Sequence, residues 1–329
     1  MVLLSTGGTI ASAPGRDGRS VSGALPGEVL VQRTELDAAI SVEVRSVFQK
    51  PSNAIGPDDW AVLREQCEAL IAGGSVDGIV ISHGTDTLED TAYYLECVLE
   101  SPRVPVVLTG SQRVPNEVGT DAYANLRRAI ELAAAQESRG LGVLVQFNES
   151  IFSASFVRKV SSFQLHGFDA PGIGPLGYND GGRVRILQRP MRQPRVRHEA
   201  ALPRVDIVPV YAGADAGFLQ AVLASGPAGV VIDGLGRGHV PPDWMGPIRA
   251  AAERGVKVLV CSSTLHGPTF QSYEFPGSLH DLEQAGAVGV SDLSARKVRI
   301  RLALLLAAGI QDSAAIRRAF DWQSARQDT

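Results

Sequence analysis

The chain has 329 residues, of which 44% are hydrophobic and 20% charged, with a formal net charge of -4. This length predicts two domains rather than one core, and the balance is that of an ordinary folded protein, which excludes a disordered chain. The acidic balance, without a dominant basic block, argues against nucleic acid as ligand and for a small polar one.

From the amino terminus, Met1 to Leu4 run straight into Ser5-Thr6-Gly7-Gly8, with no basic n-region or apolar h-region ahead of them, so the first strand is expected at once. Residues 78–82 read as a buried strand, followed by Leu88, Ala92, Leu95 and Leu99 at helical steps. The unit repeats as a strand at 104–108 and a helix over about 120–136, then a strand at 141–147. The alternation returns at 205–211, 229–232 and 256–260, with helical patterns between. The expected class is α/β with two α/β domains: a larger N-terminal, mainly parallel sheet flanked by helices, and a smaller C-terminal one.

Between them, residues 186–203 carry Arg189, Pro190, Arg192, Pro194, Arg195, Arg197 and Pro203 with little periodicity. The expected division is 1–187, a linker over 188–204, and 205–329. The longest apolar run, 302–308, is far too short to span a bilayer, so no membrane partner is expected. Cys67, Cys97 and Cys261 show neither a disulfide framework nor a zinc spacing. No metal is expected, and the expected location is cytoplasmic.

In open α/β sheets the strand-to-helix junctions carry the chemistry. The first is Ser5-Thr6-Gly7-Gly8-Thr9-Ile10-Ala11, which on its own reads as a glycine turn with a capping hydroxyl and lacks nucleotide-binding spacing. The second, Ser82-His83-Gly84-Thr85-Asp86-Thr87-Leu88-Glu89, supplies a hydroxyl, an acid and backbone N–H groups, although Asp86 with Glu89 also fits a capping arrangement. His83 is expected to orient its neighbours rather than to act as a base. The third is Thr109-Gly110-Ser111-Gln112-Arg113. Lys159 sits in an acid-free stretch where a solvated side chain is the ordinary outcome, but beside an aspartate in a closed pocket it serves as a base for a hydroxyl.

Taken together, Thr6-Gly7-Gly8-Thr9-Ile10-Ala11 and His83-Gly84-Thr85-Asp86-Thr87 resemble the two signature segments of the bacterial-type L-asparaginases, in the same order. Residues 107–113, 120–126, 147–148 and 174–177 resemble further family segments, so the similarity covers nearly the whole chain. The resemblance implies a threonine amidohydrolase that releases ammonia from an amino-acid side-chain amide by double displacement, without a cofactor. It implies Thr9 as nucleophile, and Thr85, Asp86 and Lys159 as the second catalytic group, leaving open which threonine attacks first. Ser52 and Asn53 align with the pair that grips the α-carboxylate and α-amine, Gly84 with the backbone of the site, Ser111 with a carbonyl for the leaving nitrogen, and Glu274 with an acid donated across a dimer. The implied assembly is a homodimer or homotetramer with sites at the subunit interface.

Two departures stand out. The segment Arg19-Ser20-Val21-Ser22-Gly23 has no tyrosine where many family members carry one beside the nucleophile, Ser20 being the nearest match. Gly234-Leu235-Gly236-Arg237-Gly238-His239 has Arg237 and His239 where the family usually has asparagines. L-Asparagine is the expected substrate, against three alternatives. These are a glutaminase or D-asparagine hydrolase, including the glutaminase component of a tRNA-dependent amidotransferase; an amino-acid sensor that has lost turnover; and nucleotide binding through the 234–238 glycines.

Overall fold

The computed structural model describes residues 1–15, 17, 19–100 and 103–321. They divide into two compact units, Met1–Met191 and Arg192–Thr329.

The first unit is built on an eight-stranded sheet. Its strands are β1 (Val2–Gly7), β2 (Glu43–Lys50), β3 (Ile79–Ser82), β4 (Val106–Thr109), β5 (Val143–Phe147), β6 (Ser150–Ser153), β7 (Gly177–Asp180) and β8 (Arg183–Ile186). They lie in the order β8-β7-β6-β5-β4-β3-β1-β2. The pairings from β2 through β5 are parallel, and those from β5 to β8 are antiparallel. The parallel strands are joined by α1 (Pro57–Gly73), α2 (Leu88–Val98) and α3 (Ala122–Ala134). A mainly parallel sheet flanked by helices is thus what forms, extended by three antiparallel strands that lie outside the elements expected from periodicity.

Strand boundaries follow backbone chemistry. Pro105 has no N–H to place in a ladder, and β4 begins immediately after it. Gly140 and Gly142 hold φ values of 74° and 80°, so β5 starts only at Val143, two residues later than its apolar pattern suggests. Strands β1, β3, β4 and β5 are buried throughout, whereas the edge strand β2 alternates exposed Glu43, Arg45 and Lys50 with half-buried apolar positions. Charges on an edge oppose pairing with another sheet. Every residue of α2 is buried, and Leu126, Ala129, Ile130 and Ala133 of α3 pack on Leu3, Val80, Val107 and Leu144.

The second unit has a four-stranded parallel sheet in sequence order, β9 (Val205–Pro209), β10 (Gly229–Gly234), β11 (Lys257–Ser262) and β12 (Val288–Gly289). Helices α4 (Ala216–Ala224), α5 (Met245–Glu253), α6 (Leu279–Gln284), α7 (Ala295–Ala307) and α8 (Ser313–Phe320) accompany it. Its core centres on Val208, Leu219, Ile232, Trp244, Ile248 and Val260. Residues 187–204 carry no helix or strand. Among the described residues, no helix is long and apolar enough to cross a membrane.

Candidate functional site

In the first sheet the chain leaves β1 for β2 on one side and then returns to β3 on the other, so the strand order reverses between β1 and β3. Beyond the carboxyl ends of such a pair a crevice opens, because the connections diverge to opposite sides. Here β1 delivers Gly8 and Thr9, β3 delivers His83 to Asp86, and the turn after β2 delivers Ser52 and Asn53. The three segments meet at their glycines. A Cβ placed on Gly8 would lie 2.3 Å from Gly84 Cα, and one on Gly84 would lie 2.7 Å from Ser52 Cβ. The glycines are therefore a condition of the convergence rather than decoration of a turn.

Into this crevice comes Lys159 from a two-residue pairing of Arg158–Lys159 with Phe168–Asp169. Its Nζ donates to Thr85 Oγ1 at 2.8 Å and to Asp86 Oδ1 at 2.6 Å. The backbone N–H of Lys159 donates to Glu89 Oε2 at 2.6 Å, and Glu89 is itself buried on α2. The lysine is thus fixed at both its backbone and its tip, which sets it apart from a solvated loop side chain. The N-cap of α2 falls one residue after Asp86. Thr87 is the N-cap of α2 and makes no side-chain cap bond; its hydroxyl donates to Ser52 O at 2.7 Å, tying the β2 and β3 segments together.

A cavity of about 310 Å³ is lined by Thr9, Ser52, Asn53, Gly84, Thr85, Asp86 and Lys159. Gly8, Ser12, Ser20, Ser22 and Pro51 line it from the amino-terminal side, and Gln112, Val114 and Ser162 from the other. Hydroxyls dominate the wall, with one ammonium and one carboxylate. That set matches a small zwitterion better than an apolar or polyanionic ligand.

Two buried networks hold the turns in place. His83 is fully buried; its Nδ1 lies 2.8 Å from Gly84 O and its Nε2 2.9 Å from Thr91 Oγ1, which also accepts from Trp60 Nε1. A carbonyl only accepts, so Nδ1 carries the proton and Nε2 accepts from the Thr91 hydroxyl. Burial lowers the His83 pKa to about 4, which keeps the ring neutral and in this tautomer. His83 accordingly orients Gly84. On the far side, the buried Asp121 carboxylate accepts from the backbone N–H groups of Gln112 and Arg113 and from Asn125 Nδ2. Asn125 also donates to Gly110 O and accepts from Asn148 N–H. The 120–126 segment therefore braces the turn that presents Gln112.

Seven of the expected residues, Thr9, Ser52, Asn53, Gly84, Thr85, Asp86 and Lys159, line one cavity. Ser111 is fully buried with its hydroxyl donating to Arg113 O, and its neighbour Gln112 forms the wall instead. Glu274 is exposed in the second unit, between Tyr273 and Phe275. In the same unit the Arg237 guanidinium lies over Phe270, and His239 packs edge-on against Tyr273 and Phe275. Sequence reasoning missed Ser12, Ser22, Gln112 and Ser162 as wall residues. Isolated serines carry no spacing signal; only Ser22, in the segment noted for its missing tyrosine, stood near one.

Residues 1–192 match the family model described as asparaginase, N-terminal, and residues 204–320 match that of the glutaminase/asparaginase C-terminal domain. The chain belongs to the asparaginase family. It is 40% identical to an L-asparaginase of Bacillus licheniformis, covering 95% of this chain and 98% of that one. A glutaminase-asparaginase of Pseudomonas fluorescens biotype A is 30% identical, covering 98% of this chain and 90% of the relative. The crystal structure of a probable cytoplasmic L-asparaginase from Campylobacter jejuni superimposes with a TM-score of 0.86 at 28% identity, covering 97% of this chain and 98% of that one. The asparaginase-family model thus spans both signature turns, and the cavity lies wholly within its N-terminal match.

Proposed function

We propose that this chain hydrolyses the side-chain amide of L-asparagine to L-aspartate and ammonia. The observation that carries the reading is Lys159 Nζ, bonded to both Thr85 Oγ1 and Asp86 Oδ1 in the wall of a cavity that Thr9 also lines.

Thr9 Oγ adds to the amide carbon, the C–N bond breaks, and the departing nitrogen takes a proton to leave as ammonia. Water then cleaves the acyl ester at Thr9, releasing aspartate. Because Lys159 donates to the Thr85 oxygen, the Thr85 hydroxyl proton is the one that remains to be directed at a reacting atom. Thr85, Asp86 and Lys159 thereby form the group that moves protons in the two displacements. Ser52 and Asn53 hold the α-carboxylate and α-amine, and the carboxylate of Asp86, which lines the cavity, receives the α-amine by a charge-assisted bond. Gly84 contributes backbone at the closest approach, Ser111 its carbonyl to the leaving nitrogen, and Glu274 an acid from a second copy.

Exposed Phe270, Tyr273 and Phe275 around Glu274 support a homodimer or homotetramer in which this surface is covered. The relative from Campylobacter jejuni supports a cytoplasmic location, checked by fractionation against the periplasm, where a 31% identical relative from Haemophilus influenzae is placed by its description.

Ammonia release from L-asparagine, L-glutamine and D-asparagine, beside a Thr9→Ala variant, tests the reading. Turnover of L-asparagine that vanishes in the variant is expected. No release from any of the three, with binding still seen by calorimetry, would replace it with a sensor.

A further inference from the structure

Gly8, the residue before Thr9, holds φ 79° and ψ -175°, a region open essentially to glycine alone. Its freedom is required by the 2.3 Å approach to Gly84, yet the same freedom would leave the orientation of the following Thr9 undefined. Two serine hydroxyls join the backbone in removing that freedom, since Ala11 N–H also donates to Gly8 O at 3.1 Å. Ser12 Oγ donates to Gly8 O at 2.9 Å, and Ser22 Oγ accepts from Gly8 N at 3.1 Å, alongside the Lys50 carbonyl at 3.1 Å. Ser12 is buried one turn after Thr9, whereas Ser22 is brought back by the short hairpin pairing Ala13–Pro14 with Ser20–Val21. Both serines line the cavity with Thr9.

We propose that Ser12 and Ser22 are positioning residues for Thr9, clamping the two polar ends of Gly8 so that the threonine hydroxyl is presented to the substrate in one orientation. This rests on the reading of Thr9 as the nucleophile. Ser12 acts within the turn itself. Ser22 acts from the hairpin and, because its oxygen is the acceptor, keeps its own proton for donation toward the cavity.

The test combines steady-state kinetics on L-asparagine with amide hydrogen exchange of Gly8 in Ser12→Ala, Ser22→Ala and Ser22→Thr. Each alanine variant is expected to lower kcat by about 10- to 100-fold, the usual consequence of a misplaced nucleophile, with KM within about threefold. Gly8 exchange is expected to be at least about fivefold faster in Ser22→Ala, the equivalent of one lost hydrogen bond. Ser22→Thr, which keeps the hydroxyl, should restore most of both. Unchanged kcat in both alanine variants, a change confined to KM, or a threonine variant as impaired as alanine would overturn the proposal. If the wild-type protein turns over no amide, the asparaginase reading fails while exchange still decides the clamp: an unchanged Gly8 rate in Ser22→Ala overturns it.

Discussion

Lys159 donates to the Thr85 hydroxyl across 2.8 Å, joining two residues 74 positions apart in the chain. The same Nζ reaches Asp86 at 2.6 Å, so one lysine gathers the hydroxyl and the acid that β3 delivers. Lys159→Met, which keeps the stem and removes the charge, should lower kcat by at least about 100-fold, as expected when a proton-transfer group is lost. Stability should change by less than about 1 kcal/mol, since Asp86 is 68% exposed and solvent screens the pair. Ammonia release and urea denaturation of the same sample check both halves. A fully active variant would remove Lys159 from the mechanism.

Gly8→Ala should be far more harmful than its size suggests. The new methyl meets Gly84 backbone atoms at 2.3 and 2.4 Å, and no rotamer relieves a collision with backbone. Adding the strain of φ 79°, a destabilisation of about 1–3 kcal/mol is expected, with turnover reduced at least about 100-fold. Chemical denaturation and kinetics measure these outcomes, and near-wild-type behaviour would mean that the two glycines separate in solution.

The His83 ring gives the stability a defined pH window. Its folded pKa is about 4 against 6.5 for the free side chain, so the unfolded chain binds a proton that the folded chain refuses. Above pH 6.5 the effect is absent; as pH falls from 6.5 to 4, stability should drop by roughly 3 kcal/mol through this residue, and further acidification adds nothing from it. Urea denaturation of wild type and His83→Gln between pH 4 and 7 checks the sign. The variant should have the shallower dependence across that interval, and identical slopes would place the titrating group elsewhere.

Asp121→Ala should act at a distance. It leaves the N–H groups of Gln112 and Arg113 without their acceptor and removes a partner of Asn125. Loss of a buried charged acceptor costs about 1–3 kcal/mol or more, and the freed turn should raise KM for L-asparagine through Gln112. Asp121→Asn, which retains one acceptor oxygen, should lie between. Unaltered KM in both would show that Gln112 is not part of substrate binding.

Much of this protein is legible from its sequence. The parallel strands β1, β3, β4 and β5 announce themselves because strands buried on both faces are continuous apolar runs, and the helices between them because one face must stay apolar. The two glycine-threonine turns were marked by composition and by family resemblance, and they lie where the strand order reverses. The three antiparallel strands β6 to β8 were not legible: they are four residues each, and Gly177–Asp180 and Arg183–Ile186 mix exposed polar with buried positions over too short a span to fix a period. Ser12 was silent, since a lone hydroxyl has no spacing to betray it, whereas Ser22 and Gln112 stood in segments that were noted for other residues.

The sequence by itself determined the α/β class and the family, and it singled out the residues proposed to carry the chemistry, because local periodicity and contiguous motifs are written in neighbouring positions. Only the tertiary structure decided that Lys159 meets Thr85 and Asp86, that Glu89 anchors the lysine backbone, and that His83 is a neutral brace. Those facts depend on which strand ends lie side by side, on how closely two glycine backbones approach, and on which polar groups are left inside to find partners.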